Sequence, residues 1–205
     1  GTGSWRTRQY AKNIGNLYPT HGLGPVAQYM SLARKEDNFK KIVSLSSPSK
    51  GRYLMAKKYF DKNHEWNNLE FKNGDINTSI IQTTYGKTIM IQWDETSPRP
   101  YTRHNLIQGT MGVLTGFPTR VFFDSKENQN SIGYFPWIEG KDLSEIYEKY
   151  DHPLYKKLNE KTAGSGHGGM DGIMMYRVIE CLQKGEPLDQ NVYEGAFWSA
   201  VTPLS

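Results

Sequence analysis

Cysteine, long apolar runs and repeated segments are scarce or missing in this sequence. Its 205 residues include one cysteine, Cys181, so no disulfide can form within the chain. Cys181 lies in an apolar helical stretch, which predicts a buried structural thiol. No apolar stretch approaches the roughly 20 residues that a membrane-spanning helix needs, and no internal repeat or low-complexity tract occurs. These absences exclude a disulfide-rich scaffold and favour a globular chain, which we take as one domain.

An excess of charge of one sign is also missing. The formal net charge is +4, from 25 Lys and Arg residues against 21 Asp and Glu residues. The cationic residues are spread along the chain and alternate with acidic ones, so no basic stripe forms. We therefore expect no binding to nucleic acid.

Several familiar catalytic signatures are absent as well. No Gly-x-Gly-x-x-Gly follows a predicted strand, no Gly-x-Ser-x-Gly occurs, and the glycine-rich residues 163–169 lack the Lys-Ser/Thr pair of a P-loop. No two carboxylates stand out as the acid and base of a glycosidase. On these patterns alone, the sequence indicates a ligand-binding or catalytic domain without specifying its reaction.

What is present is a motif at residues 16–25, Asn-Leu-Tyr-Pro-Thr-His-Gly-Leu-Gly-Pro, which we interpret as the chemical centre. Tyr18 and His21 are three residues apart at a predicted helix start, so a phenol and an imidazole can share one face and reach one ligand. Both groups can transfer protons. Capping or packing at a helix terminus is the alternative role for this pair.

The periodicity predicts an α+β fold with a largely antiparallel, open-faced sheet and helices packed on one face. Tight turns separate the predicted strands, whereas parallel neighbours would need long crossovers. The strands are expected at residues 41–46, 78–84, 87–94, 101–108, 112–115 and 121–123. Helices are expected at residues 25–33, 51–63, 142–161 with a break at 151–153, 170–182 and 189–200. Gly185 is the expected C-terminal cap after 170–182, and Asp189 is a candidate cap for 189–200. Residues 5–16 are expected to be an irregular approach to the motif.

Two further clusters are candidate sites. His167 and Asp171 have helical i, i+4 spacing after a glycine-rich loop, which suits metal ligands or an oriented imidazole–carboxylate pair. A metal would need a third ligand such as His21 or His104, which the spacing does not demand, so we predict none. Arg6 could stack on Trp5 and present its guanidinium to a hydroxyl or carboxylate, or it could be a solvated surface residue.

Five segments together resemble glycoside hydrolase family 109, the bacterial NAD-dependent α-N-acetylgalactosaminidases related to glucose-fructose oxidoreductase and inositol dehydrogenase. In chain order the segments are residues 5–6, 15–28, 96–101, 166–171 and 187–190. Their order and register make the resemblance more specific than any single motif. It implies that residues 1–205 are the C-terminal substrate domain and that a dinucleotide-binding domain precedes them.

The resemblance also implies a reaction and a set of site residues. NAD would oxidise the sugar at C3, elimination would expel the group at C1, and water addition and hydride return would complete the hydrolysis. By motif, Arg6, Pro19, Thr20 and Tyr101 match substrate-contacting positions. Tyr18 and His21 also match substrate positions and are the expected catalytic pair, with Tyr18 touching the nicotinamide. No definite role follows for His167 and Asp171.

Other readings of the same residues stay open. The chain could be a non-catalytic sugar-binding or dimerisation module, or part of a sugar oxidoreductase of the same superfamily. A homodimer through the sheet would suit residues 78–115, and export to the periplasm of a bacterium follows from the resemblance alone. Without its upstream domain, the chain is expected to be inactive.

Overall fold

The computed structural model describes residues 6–34, 36–124 and 135–205, and in it the chain forms two compact units. Residues 1–100 and 190–205 belong to the first unit, and residues 101–189 belong to the second. Helices occur alongside two open antiparallel sheets, so the predicted α+β class is confirmed. That residues 1–205 act as one substrate-binding domain stays a prediction.

The first unit contains a three-stranded sheet with the order β1-β2-β3 and five helices. The sheet pairs β1 with β2 and β2 with β3 in antiparallel register. The elements are α1 (Arg6–Lys12), α2 (Thr20–Tyr29), β1 (Phe39–Ser46), α3 (Gly51–Tyr59), β2 (Ile76–Thr83), β3 (Thr88–Asp94), α7 (Val192–Ser199) and α8 (Val201–Leu204), with a 3-10 turn at Glu65–Asn68.

Helix α2 and the C-terminal helices cover one face of this sheet. The core combines residues of α2, the strands and the C-terminal helices, with Ile81 of β2 fully buried at its centre. Phe39 of β1 stacks on Phe197 of α7 with ring centroids 3.9 Å apart. The buried members of this core are Leu23, Ala27, Leu32, Ile81, Ile89, Trp198 and Val201.

The opposite face of the same sheet is exposed and partly apolar. Cross-strand register aligns Val43 with Ile80 and Ile80 with Met90, so the three form a row across the sheet. Their exposed fractions are 65%, 52% and 73%. Strand alternation explains the contrast, because neighbouring residues of one strand point to opposite faces. The predicted open-faced sheet with helices on one side is confirmed here.

The second unit contains a four-stranded antiparallel sheet and three helices. Its sheet has the order β4-β5-β6-β7, and α5 packs against α6. The elements are β4 (Asn105–Gly109), β5 (Gly112–Gly116), β6 (Arg120–Phe123), β7 (Ile138–Glu139), α4 (Leu143–Tyr150), α5 (Pro153–Thr162) and α6 (Met170–Lys184), with 3-10 turns at Gly140–Asp142 and His167–Gly169.

Helix α6 ends as its sequence predicts. Gly185 adopts a left-handed conformation at φ +67°, which lets its N–H bond back to the last turn. Cys181 is a fully buried free thiol, in agreement with the predicted structural role. The break between α4 and α5 also falls at the predicted residues, where the Pro153 ring disfavours a continuous helix.

The predictions for the N-terminal part of the chain were partly wrong. Residues 6–12 form α1, because Thr7 and Tyr10 are three residues apart and bury one face of a helix whose other residues are mostly polar. Helix α2 begins at Thr20, in agreement with the helix start predicted at the motif but five residues before the helical stretch predicted at 25–33, and it contains Pro25 in its interior.

The predicted cap at Asp189 was also wrong. The Asp189 carboxylate pairs with the Arg177 guanidinium, with Nε and Oδ2 3.0 Å apart. Asn191 caps α7 instead, through a capping box in which Asn191 and Glu194 each accept the other's backbone N–H. A hydrogen bond from Arg34 lowers the pKa of the buried Glu194 carboxyl, although burial opposes the shift.

The hydropathy of the described helices is moderate. Among residues 6–34, 36–124 and 135–205, no helix has the length and apolar character to cross a membrane.

Because Ile81 and Ile80 lie on opposite faces of β2, the same substitution should change the free energy of unfolding much more at Ile81 than at Ile80. Ile81→Ala should lower the free energy of unfolding by about 2–5 kcal/mol, because it leaves a cavity in the core. Ile80→Ala is the matched control and should change it by less than about 0.5 kcal/mol, since this neighbouring side chain faces outward. Guanidinium denaturation at a concentration where the chain is monomeric measures both, and equal losses would contradict the assigned faces.

Candidate functional site

The start of α2 positions the predicted motif. Pro19 occupies the N-cap position with φ −73°, and its carbonyl accepts the N–H of Leu23 at 2.9 Å. Leu23 is buried in the core, so its packing fixes the position of the first turn of the helix. His21 lies in that first turn and Tyr18 immediately precedes the cap, and both side chains are exposed.

Three of the predicted site residues come together at this turn. The rings of Tyr18 and His21 stack with centroids 4.6 Å apart and planes inclined by 27°. The Arg6 guanidinium carbon, at the start of α1, lies 5.5 Å from the centroid of the Tyr18 ring. We call Arg6, Tyr18 and His21 the Tyr18 stack. It presents a phenol, an imidazole and a permanent cation at one place, which suits a polar, hydroxyl-rich ligand.

The other residues of the motif are less accessible. Pro19 is buried and Thr20 is partly buried, whereas 44% of Tyr18 is exposed. Pro25 has no N–H to give to the His21 carbonyl one turn earlier, which weakens the helix at this point. Trp5 lies outside the described residues, so its predicted stacking with Arg6 stays a prediction.

A buried arginine fixes the helix that carries Arg6. The Arg52 guanidinium carbon lies 4.3 Å from the centroid of Tyr10 in α1 and 5.1 Å from that of Trp93 in β3. Its Nη2 pairs with Glu95 at 3.5 Å. Burial, and after it the hydrogen bond to Glu95, raise the pKa of Tyr10, which keeps this phenol neutral.

Tyr101 belongs to the second unit and precedes β4. Its side chain is 76% exposed, and its hydroxyl accepts a hydrogen bond from Arg103 Nε at 2.9 Å. The predicted strand at 101–108 begins only at Asn105, so Tyr101 lies on an extended segment before the sheet. It offers an exposed aromatic face with its hydroxyl oriented by a guanidinium.

His167 and Asp171, also in the second unit, form the oriented pair that their spacing predicts. His167 Nδ1 lies 2.9 Å and 3.0 Å from the two Asp171 carboxylate oxygens, and 71% of the imidazole side chain is exposed. His167 has φ +54°, an uncommon value for a residue with a side chain. A Cβ at Gly166 would collide with the Asp171 carboxylate, so a side chain there would displace this carboxylate from His167.

No group of three or more metal-ligating side chains occurs in the described parts of the chain. His104, considered as a third ligand, is exposed and precedes β4. The phenol, imidazole and guanidinium groups of the candidate residues support proton transfer and hydrogen bonding. Sequence reasoning missed the buried Asn16, whose side chain accepts the backbone N–H of Tyr18, and the partly buried Ser205, whose hydroxyl accepts the backbone N–H of Asn16. An Asn two residues before Tyr18 is a turn signal that could have identified the first of them.

Comparison with known proteins identifies relatives over the whole chain. A family model described as "Glycosyl hydrolase 109, C-terminal domain" matches residues 1–205. Glycosyl hydrolase family 109 protein 1 of Akkermansia muciniphila is 62% identical over 207 aligned residues, covering all of this chain and 42% of the relative. A glycosyl hydrolase family 109 protein of Shewanella baltica is 54% identical, over 44% of its own length. The chain thus spans less than half the length of these relatives.

The geometry of the His167–Asp171 pair predicts one tautomer. Asp171 accepts a hydrogen bond from His167 Nδ1–H, so neutral His167 should carry its proton on Nδ1 and leave Nε2 available as a base. Nitrogen NMR at alkaline pH should show this tautomer, and Asp171→Ala should shift the ring toward the Nε2–H form that free histidine favours.

His152 provides an internal control for the NMR experiment. Its Nδ1 accepts the backbone N–H of Leu154 at 3.1 Å, so it should carry the proton on Nε2 in both proteins. If His167 is already in the Nε2–H form before substitution, the oriented pair is wrong.

Proposed function

Because a family model matches its whole length, this chain belongs to glycosyl hydrolase family 109, and we propose that it forms the sugar-binding half of an NAD-dependent glycosidase. The proposed substrate is a terminal α-linked N-acetylgalactosamine or a related sugar. The rest of the protein, which makes up more than half of the relatives' length, holds most of the cofactor site in this proposal.

The observation that most supports a catalytic role is the exposed Tyr18 stack. A binding module that only recognises sugar needs aromatic faces and hydrogen bonds. It has little need for an imidazole stacked on a phenol beside a guanidinium. Oxidation at C3 of the sugar makes the proton on C2 acidic, so the elimination of the group on C1 requires a base near C2. In our proposal His21 moves protons at the reacting carbons with Tyr18 as its partner, while Arg6 orients the sugar hydroxyls. Tyr101, in the second unit, stays a substrate contact implied by the resemblance alone.

The residues of this chain fit a nicotinamide beside Tyr18. The Tyr18 ring is 44% exposed, so an aromatic ring system can approach it. When bound, NAD supplies the hydride acceptor and later the hydride donor for C3. Tyr18 and Arg6 then hold the sugar, exclude water and keep the reacting hydroxyl oriented.

His167, in the second unit, is a separate acid or base candidate. Asp171 holds its Nδ1, which leaves Nε2 able to exchange a proton. The proposal assigns this pair no step of the reaction.

An assay of aryl α-N-acetylgalactosaminide hydrolysis tests the proposal. In the full-length protein, His21→Ala should lower kcat/KM by about 10²-fold or more, in the range typical of a lost acid or base. His152→Ala is the matched control, because this histidine caps α5, and it should retain kcat/KM.

Full activity in the His21→Ala variant would overturn the catalytic assignment and favour a non-catalytic sugar-binding module. The chain of residues 1–205 alone should show no turnover, and added NAD should neither bind tightly nor restore activity. Turnover by this chain would contradict the division of the site between two domains.

A subunit contact through the first sheet is a second proposal, favoured by the exposed row of Val43, Ile80 and Met90. These side chains form an apolar strip on a face that no helix covers in the described part of the chain. A second copy of the same strip, related by a two-fold axis, would bury these side chains against the same apolar side chains of the other copy.

Charge placed in this strip tests the dimer. In the full-length protein, Met90→Glu should shift sedimentation toward the monomer, because a buried glutamate without a partner destabilises the contact. Met111→Glu is the matched control, since Met111 is 72% exposed against 73% for Met90 but lies outside the first sheet. An unchanged dimer in the Met90 variant would contradict the contact.

A further inference from the structure

We infer that Asn16 is a positioning residue for Tyr18: its side-chain oxygen, itself held in place through Ser205, sets where the Tyr18 phenol lies. The inference rests on the proposed role of Tyr18 in the reaction. It adds two residues, one at each end of the first unit's sequence, that do not touch the ligand and control the geometry of the Tyr18 stack.

The contact between Asn16 and Tyr18 is a tight local turn. Asn16 Oδ1 accepts the backbone N–H of Tyr18 at 3.2 Å, which closes the two-residue turn that asparagine side chains favour. Asn16 is fully buried, with 0% exposure. Its Nδ2 is buried without a hydrogen-bond partner among the described residues, so the oxygen is the atom through which this side chain acts.

Asn16 is in turn held by the last described residue. Its backbone N–H donates to Ser205 Oγ at 2.7 Å, and Ser205 Oγ donates to the Thr202 carbonyl at 3.3 Å. Gly15 has φ +100°, and a Cβ there would lie 2.7 Å from the Ser205 carbonyl oxygen. Ser205 can therefore approach this closely only because residue 15 is glycine.

These contacts hold Tyr18 through its backbone N–H. Core packing of Leu23 fixes α2 and therefore His21, but Tyr18 lies before the helix and has no helical hydrogen bond to hold it. Without the Asn16 side chain, Tyr18 N–H loses its partner and the ring is freer to leave its position over His21. A shift of about 1 Å in a reacting group can cost up to 10²-fold in rate, so the loss should appear in turnover.

A double-mutant cycle in the full-length protein tests the inference, with hydrolysis of an aryl α-N-acetylgalactosaminide as the assay. Asn16→Ala should lower kcat/KM about tenfold in the otherwise native protein and less than about twofold in a Tyr18→Phe background. A residue that acts only on stability would cause the same fold-change in both backgrounds. Asn16→Ser, which retains a weaker acceptor at this position, should recover part of the activity.

Two controls separate positioning from folding. Asn77→Ala removes another buried asparagine, on β2, whose amide donates to Ser44 and Ser46. This variant should lose thermal stability while kcat/KM stays within about twofold of the native value. If Asn16→Ala does not fold, Ser205→Ala takes its place in the cycle and should show the same non-additivity with a smaller loss.

The outcomes distinguish this inference from the function on which it rests. If Tyr18→Phe lowers kcat/KM but Asn16→Ala has the same effect in both backgrounds, the positioning role is overturned and the glycosidase proposal stands. If Tyr18→Phe retains full activity, the role of Tyr18 in the reaction is overturned, and the inference with it.

Discussion

The burial of α2 against the first sheet is the constraint on which the geometry of the site depends. Leu23 and Ala27 of the helix pack with Ile81 and Ile89 of the strands, and both helix residues are 1% exposed. Burial on this scale contributes about 1.5–3 kcal/mol for a large apolar side chain, far more than the surface contacts around the motif. His21 is two residues from Leu23, so the packing that stabilises the unit also orients the imidazole.

The local pattern of the sequence was sufficient for elements with strong periodicity or clear turn residues. The hairpin of β2 and β3, the helices on either side of Pro153 and the end of α6 at Gly185 were predicted from such signals. The start of α2 was misplaced, because Pro25 is usual in a first turn and here lies in the interior. Asp189 was taken as a cap because the pattern does not reveal its partner Arg177, twelve residues away.

The sequence also singled out three residues that the structure brings together at the start of α2, but not the contacts that support them. Tyr18 and His21 were identified by spacing, and Arg6 by its motif, and these three come together. The buried Arg52 went unrecognised, because its role depends on contacts with residues distant in the chain. Asn16 was also missed, although its turn with Tyr18 is local. Arg52 packs on Tyr10 and Trp93, which are separated by 83 positions. Such contacts arise from the tertiary fold and have no periodic signature.

The hydrogen bond from Asn16 to Ser205 spans 189 positions of the sequence, and this separation affects when the site can form during synthesis. The segment that carries Tyr18 leaves the ribosome well before Ser205 does, so the sheet and α2 can assemble while Asn16 still lacks its partner. Long-range contacts of this kind complete late in folding. Trp198 and Val201, which complete the core, lie only a few residues before Ser205, so closure of the core and placement of the Asn16 turn depend on the same late segment of the sequence.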